Sequence, residues 1–511
     1  MEPFIQKHDA IIEGVLSTFD RVLIKGYLPL SRPEVMASLM GQHGLLLKDF
    51  KRFVVEQSAA VGLHAKALAE RAGRPYLYLR GAVRKEEMAR AMALRDGVEE
   101  GLIGVFGVVE ACQSFNLAYG KGKPRLVAAR RKCLCYYFYY QDPRVGFMHI
   151  RLQSWFPFVI QVYVNGHSWL ERELTRMGVA FQSVENALIH VESYERAQRR
   201  ADRMTALDWP RILRGWARQV NPHLRSLLKG MEYYWVLNQA EYATDLVFKD
   251  RKAFHRLYEK LLKHAVICFQ PEEVMTFLGK KLDGRFVGEL VGTLSPRPRG
   301  ARIKHRVKTN WIKMYNKAGC ILRVETVING PYDFKVRRTG MRQGRPVVDW
   351  FPLPKGIAHL WRYAEIGHRA NHRYLDALTA VEDPSAAYAG LEGVCERVRQ
   401  SNRSSRGLNP LRKDDAALLA AVLNGAHVLR GFSSRDVAEA LHLSRPSDPQ
   451  ASKAFSARLN RRLRLLRAHH LIARIPRTRR YRLTDKGTIL IAALLYWRDE
   501  DYIAHYRARA A

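Results

Sequence analysis

The sequence predicts a multidomain α+β protein. Mixed sheet and helix fill the N-terminal and central regions, and a helical module with a two-stranded hairpin closes the chain. Three observations carry this. The 511 residues make room for about three domains at roughly 100–200 residues each. Runs of β-branched and aromatic residues follow one another with short turn signals, the pattern of a largely antiparallel sheet. A polar stretch, "RQSNRSSRGLNPLRK" (Arg399–Lys413), reads as a linker. The expected division is a mixed α/β domain over 1–192, a basic helical and antiparallel-β domain over 193–398, a linker over 399–413 and a C-terminal domain over 414–511.

In chain order, "FDRVLIKGYL" (Phe19–Leu28) reads as a strand, and "PEVMASLMGQHGLL" and "KDFKRFVVEQSAAVGLHAKALAERAG" have helical spacing. "GLIGVFGVVEACQSF", "LVAARRKCLCYYFYYQ" and "GFMHIRLQSWFPFVIQVYVNG" read as strands, and "HSWLERELTRMG" as a short helix ending at Gly178. From Ser193 to Lys263 the chain reads as mostly helical, "EYYWVLNQAEYATDLVF" included, with a break at Asn221-Pro222. A helix starts at Pro271. A basic loop, "RRTGMRQGRP", precedes "VVDWFPLPKG", and a helix runs through "IAHLWRYAEIGHRANHRYLDALTAV". No internal repeat shows.

The charge is unusual. A formal net charge of +36 calls for a polyanionic partner, nucleic acid or an anionic membrane. No apolar run reaches the ~18 residues of a spanning helix. The N-terminus "MEPFIQKHDAIIEGVL" lacks the layout of a signal peptide. The expectation is therefore a bacterial cytoplasmic, nucleoid-associated protein with no membrane partner. Six cysteines are sparse, and the single C-x-C pair, Cys133 and Cys135, has no second pair to make a zinc site. They read as buried reduced thiols.

After the linker come three helices, in "DDAALLAAVLNG", "SSRDVAEALHL" and "ASKAFSARLNRRLRLLRAHHLI". Two strands joined by a basic turn follow in "ARIPRTRRYRLTDKG", and then a helix in "TILIAALLYWR". This is the winged helix-turn-helix plan. The phrase "LRLLRAHHLIARIPRTRRYRLTDKG" resembles the winged-helix domains of MarR-like regulators and mobile-element proteins. The resemblance implies that the third helix enters the major groove while the wing meets the backbone or minor groove. Between Ala451 and Thr484 stand eleven Arg or Lys and no acid. Lys453, Arg458, Arg461 and Arg462 can share one face of the third helix, leaving Phe455, Leu459, Leu463 and Leu466 for the core. Arg477, Arg479 and Arg480 fall at the wing tip, and Arg suits phosphate or guanine contact.

A second basic stretch, "RIKHRVKTNWIKMYNKAGCILRVETVING" (Arg302–Gly330), holds seven Arg or Lys. It reads as three strands with turns at Lys308-Thr309-Asn310 and Lys317-Ala318-Gly319. Alternation sets Ile303, His305 and Val307 against Lys304 and Arg306, and puts Lys313, Tyr315 and Lys317 on one face. Arg302, Lys304, Arg306, Lys313 and Lys317 are candidate phosphate contacts. Cations beside Tyr315 would favour its phenolate, and such a phenol attacks phosphates with help from a divalent metal. His305 and Glu325 are candidate ligands. "K-x-Y-N-K … L-R-V-E" resembles a segment of rolling-circle replication initiators, which implies Tyr315 as nucleophile and Glu325 in support. The His-x-His pair many such enzymes use does not occur here. The alternative is a basic β-platform on which Tyr315 and Trp311 stack bases.

Asp20, Glu110 and Asp245 stand in apolar segments, and three such carboxylates can build a two-metal nuclease or transposase site; the alternative is ordinary ion pairing. Arg151, Gln153, Trp155, Gln161, Asn165 and His167 lie among aromatics. Their amides suit base edges, unless the segment is a core strand pair turning at Asn165-Gly166. Together these residues point to a DNA-processing protein, transposase-like or initiator-like, of a mobile element, with Mg²⁺ or Mn²⁺ for nicking or strand transfer. A non-enzymatic DNA-binding regulator and an RNA-binding protein gripping a structured RNA are the alternatives.

Overall fold

Residues 12–27 form one long strand rich in β-branched and aromatic side chains (Ile12, Val15, Thr18, Phe19, Val22, Ile24 and Tyr27), with glycines where neighbours crowd in. The computed structural model describes residues 1–81, 83–120, 123–269, 271–279, 290–297, 300–379, 393–400, 403–423, 431–476, 478–496 and 498. Its strands are β1 Ile12–Tyr27, β2 Tyr76–Tyr78, β3 Gly101–Gly120, β4 Lys123–Asp142, β5 Gly146–Gln153, β6 Ile160–Val164, β7 Phe181–Ser183, β8 Leu188–Val191, β9 Tyr234–Phe248, β10 Leu290–Arg297, β11 Gly300–Val307, β12 Asn310–Lys317 and β13 Ile321–Ile328. Short hairpins follow at Lys335–Arg342/Arg345–Pro352, Val398–Gln400/Arg403–Ser405 and Ile472–Arg474/Tyr481–Leu483. The protein is mixed α+β.

The chain divides into two units, one of residues 11–249 and 309–371, the other of residues 1–10, 250–308 and 372–511. In the first unit the strands run in the order β12-β13-β9-β1-β6-β5-β4-β3-β2. Each neighbouring pair is antiparallel except β2–β3. Strands from either side of position 192 therefore lie side by side. The order is symmetric about β1–β9: the hairpin β5–β6 returns onto β1, and the hairpin β12–β13 returns onto β9. One arrangement thus occurs twice, although no repeat shows in the sequence.

Two expectations are corrected here. The sequence pattern predicts a helix at β9, yet β9 is a strand paired on both sides. Residues 240–248 are buried on both faces, so the period-2 signal of a half-buried strand is lost. "RRTGMRQGRP", predicted as a loop, is most of a hairpin, with Gln343 and Gly344 at positive φ in its turn.

One face of the sheet packs on the helix Leu360–Leu378. Asn371 hydrogen-bonds Thr326 Oγ1 at 2.7 Å and the main-chain carbonyl of Tyr242 at 3.0 Å. The opposite face carries the polar residues. Lys313 stands opposite Glu325, Tyr315 opposite Arg323, Arg323 opposite Asp245 and Arg21 opposite Glu241.

In the second unit β10 and β11 form a hairpin. Ile303, His305 and Val307 are buried and Arg306 is exposed, as alternation predicts. The C-terminal elements are helices Lys413–Val422, Ser434–Ala440 and Pro449–Ala468, the hairpin Ile472–Arg474/Tyr481–Leu483 and the helix Asp485–Tyr496. Ser433 and Asp436 form a capping box. Leu463, Leu466 and Ile491 share their core. The expected linker is built into it: Leu408 is buried there, and Arg406 pairs with Asp415 at 2.6 Å. Among the described residues no helix is long and apolar enough to cross a membrane.

Candidate metal centre and its ion network

The site begins with an irregularity in β1. Pairing passes from Phe19 opposite Tyr242 to Arg21 opposite Glu241, so Asp20 is an extra residue, a β-bulge. Bulges re-aim side chains and are common beside functional sites. Asn165 secures it: its Nδ2 donates to the Asp20 main-chain carbonyl at 2.8 Å, while its Oδ1 accepts from Ser168 N at 3.0 Å and caps the helix Gly166–Arg176. Asn165-Gly166 is therefore a helix start and not a hairpin turn. A Cβ on Gly166 would sit 2.2 Å from the carbonyl oxygen of Phe19, so only glycine lets this helix approach the bulge.

Asp20 on β1, Glu241 on β9 and Glu325 on β13 each offer an oxygen within 4.8 Å of the others. Lys313 Nζ lies 2.7 Å from Glu325 Oε1 and 3.3 Å from Glu241 Oε2. Burial, then Glu325, push the Glu241 carboxyl up to about 8. Burial also works against ionised Glu325, but Lys313, the hydrogen bond from Glu241 and nearby Arg323 hold it well below the usual carboxylate range. The two carboxyls thus titrate as a pair, Glu241 driven up and Glu325 down.

Arg323 fills the other half of the network. Its Nε donates to Asp245 Oδ1 at 2.6 Å, its Nη1 to Asp20 Oδ1 at 2.9 Å, and its Nη2 to Asp245 Oδ2 at 2.7 Å. Burial opposes the Asp245 charge, but Arg323 and His167 hold its pKa far down. His167 reaches both Asp20 and Asp245, at 3.6 and 3.4 Å. Four carboxylates, Asp20, Asp245, Glu241 and Glu325, thus face three cations, Arg21, Lys313 and Arg323. Carboxylates outnumber the Arg and Lys groups by one, which leaves one carboxylate to take a proton or a cation.

The candidate residues redistribute accordingly. Asp20, Glu110 and Asp245 do not form a three-carboxylate set. Asp245 belongs to Arg323, and Glu110 sits elsewhere on the sheet with Arg151 at 2.8 Å, Tyr137 and Lys85. Tyr315 is near the site, but its expected phenolate is not favoured. It donates to Glu325 Oε2 at 2.8 Å, and burial followed by Glu325 raise its pKa well above the ordinary value. His305 is no partner of Glu325 in the cluster: in the other unit its Nε2 meets Tyr374 Oη at 3.2 Å, and burial pushes it down to about 4. Lys313 faces carboxylates instead of solvent, and Lys317 lies 3.8 Å from Glu185.

Among the basic candidates, Lys453, Arg458, Arg461, Arg479 and Arg306 are exposed; Arg462, Arg302 and Lys304 are half-buried. Arg480 is committed to Asp436 at 3.0 Å and to the Gly431 carbonyl. Arg477 lies outside the described residues. Sequence reasoning missed Glu241 and Arg323 as a bridge, and it read His167 with the base-facing amides and not with Asp20 and Asp245. Glu241, Ala243 and Asp245 do carry the period of a strand face, but only once β9 is recognised as a strand. No family model, no curated protein and no solved structure matches the chain.

Proposed function

We propose that the chain is a nucleic-acid-processing protein that breaks or rejoins phosphodiester bonds with a divalent cation, Mg²⁺ or Mn²⁺, held by Asp20, Glu241 and Glu325. One observation carries this: three carboxylates from three neighbouring strands converge within 4.8 Å, in a chain of net charge +36. All-oxygen ligands suit such hard cations. When bound, the cation supplies charge neutralisation at the phosphate and an acidified water. The chain's own groups do the rest. Arg323 and the Asn165-anchored bulge fix Asp20, Lys313 and Tyr315 fix Glu325, and Glu241 gives up its proton. Tyr315 orients a ligand, so no covalent tyrosyl adduct forms. The C-terminal order of three helices, hairpin and helix, with Lys453, Arg458 and Arg461 exposed on the third helix, supports a winged-helix address for DNA.

A nicking assay on supercoiled DNA with Mg²⁺ or Mn²⁺ tests the reading. Wild type nicks, Glu325→Gln does not, and Tyr315→Phe still does. Equal nicking by Glu325→Gln would refute it. A second reading has one observation on its side. The Lys313 ammonium already occupies the carboxylates, at 2.7 Å from Glu325, as in a purely structural ion lattice. The protein would then be a non-enzymatic nucleic-acid binder, which no cation would convert into a nuclease.

A further inference from the structure

The polar face continues past the carboxylates along β1. There Lys25 stands opposite Gln161 on one side and Val236 on the other. Val236 in turn bridges Gly356, and the carbonyl of Lys355 accepts from Leu237 N at 2.6 Å, which brings Lys355 to the same end of the strand. Arg151 lies opposite Gln161 on β5–β6. Lys25, Arg151, Arg130, Gln113, Gln153 and Gln161 line a pocket of about 530 Å³. Its one acid, Glu110, is already matched by Arg151 at 2.8 Å and Lys85 at 3.5 Å. Lys25 is different: burial, then Arg151 and Lys355, lower its pKa, so the charged groups that act on it are cations. A half-buried ammonium held among cations, over a pocket lined by amides, is arranged for an anion.

We infer that Lys25, with the field of Arg151 and Lys355 behind it, binds a phosphate group of a nucleic-acid strand in this pocket. The inference rests on the nucleic-acid reading and extends it. Five residue steps of β1 lead from Asp20 to Lys25, roughly 17 Å at about 3.3 Å per residue. That matches about five nucleotides of stacked strand at about 3.4 Å each. A strand anchored here lays a phosphodiester about five nucleotides away over Asp20, Glu241 and Glu325, and the pocket amides meet the base beside the anchored phosphate.

The test uses the full chain in EDTA, so that no cleavage interferes. Binding of fluorescein-labelled dT8 and of AMP is followed by anisotropy, and stabilisation by inorganic phosphate by thermal melting. Lys25→Gln/Lys355→Gln is expected to weaken dT8 binding about tenfold or more, the scale of losing one or two charge-assisted hydrogen bonds. It should also abolish the phosphate-induced rise in melting temperature, while Lys25→Arg retains both. AMP binding more tightly than dT8, with the same loss in the double variant, would overturn the strand assignment in favour of a free nucleotide. Unchanged dT8 binding and unchanged phosphate stabilisation in the double variant would overturn the site. If wild type ignores dT8 but phosphate still stabilises it through Lys25, the anion site stands and the nucleic-acid reading falls.

Discussion

The side-chain amide of Asn165 donates to the main-chain carbonyl of Asp20 at 2.8 Å, across from β6 to the bulge in β1. The same amide caps a helix. One residue thus sets both the helix start and the direction of a carboxylate. Asn165→Ala is expected to cost about 1 kcal/mol through the missing cap. Because it also frees the bulge, it should weaken Mn²⁺ binding by about 10–100-fold, the usual cost of removing a group that supports a ligand. Calorimetric titration with Mn²⁺ and a denaturant melt separate the two effects.

Gly166→Ala places a methyl 2.2 Å from the Phe19 carbonyl oxygen, and main chain on a central strand yields little. A loss of about 1–3 kcal/mol is expected. Gly215→Ala, in the helix Trp209–Val220 with nothing within 4 Å of the added atom, should instead gain about 0.5–1 kcal/mol. Urea unfolding of the two variants checks the contrast.

Arg323→Met removes the two-point partner of buried Asp245 and leaves that charge only His167, at 3.4 Å. The expected cost is about 3–5 kcal/mol, visible as a fall in the urea midpoint. Adding Asp245→Asn should recover part of it. No recovery would mean that the pair is not coupled.

Metal affinity should depend on pH in a defined direction. The folded-state pKa of Glu241 is raised to about 8. Its contribution to stability is therefore fully present below the ordinary carboxylate range and lost as pH rises toward about 8. A cation needs the ionised form, so binding must expel this proton. Mn²⁺ affinity should rise about tenfold per pH unit through the neutral range and level off above about 8. Glu241→Gln should flatten the profile.

Lys453, Arg458 and Arg461 are exposed on one helix of the C-terminal module. Their triple alanine variant should lower the salt dependence of duplex DNA binding by about 0.9 for each phosphate it no longer neutralises, with little change in thermal stability. An unchanged slope would remove this helix from the DNA-binding surface.

Some of this was legible in the sequence and some was not, for physical reasons. The period of β12 placed Lys313 and Tyr315 on one face, as the structure has them, because a strand with two distinct faces announces itself. β9 did not: a strand buried on both sides loses its alternation, and its Ala, Leu, Gln and Glu suit helices as well. Glu241 was lost with it. Asp20 stood out as an acid among apolar neighbours, but its true partners lie more than 200 residues away, and only the pairing β1–β9–β13 joins them. Asn165-Gly166 misled because the dipeptide serves both hairpin turns and helix caps.

The central claim is that Asp20, Glu241 and Glu325 hold a divalent cation. The most direct test is isothermal titration of wild type and Glu325→Gln with Mn²⁺ at pH 8, after chelation and desalting. Wild type is expected to show a saturable site that disappears in Glu325→Gln, whose fold is retained by far-UV circular dichroism. Equal binding by both proteins, or none by wild type, would contradict the claim.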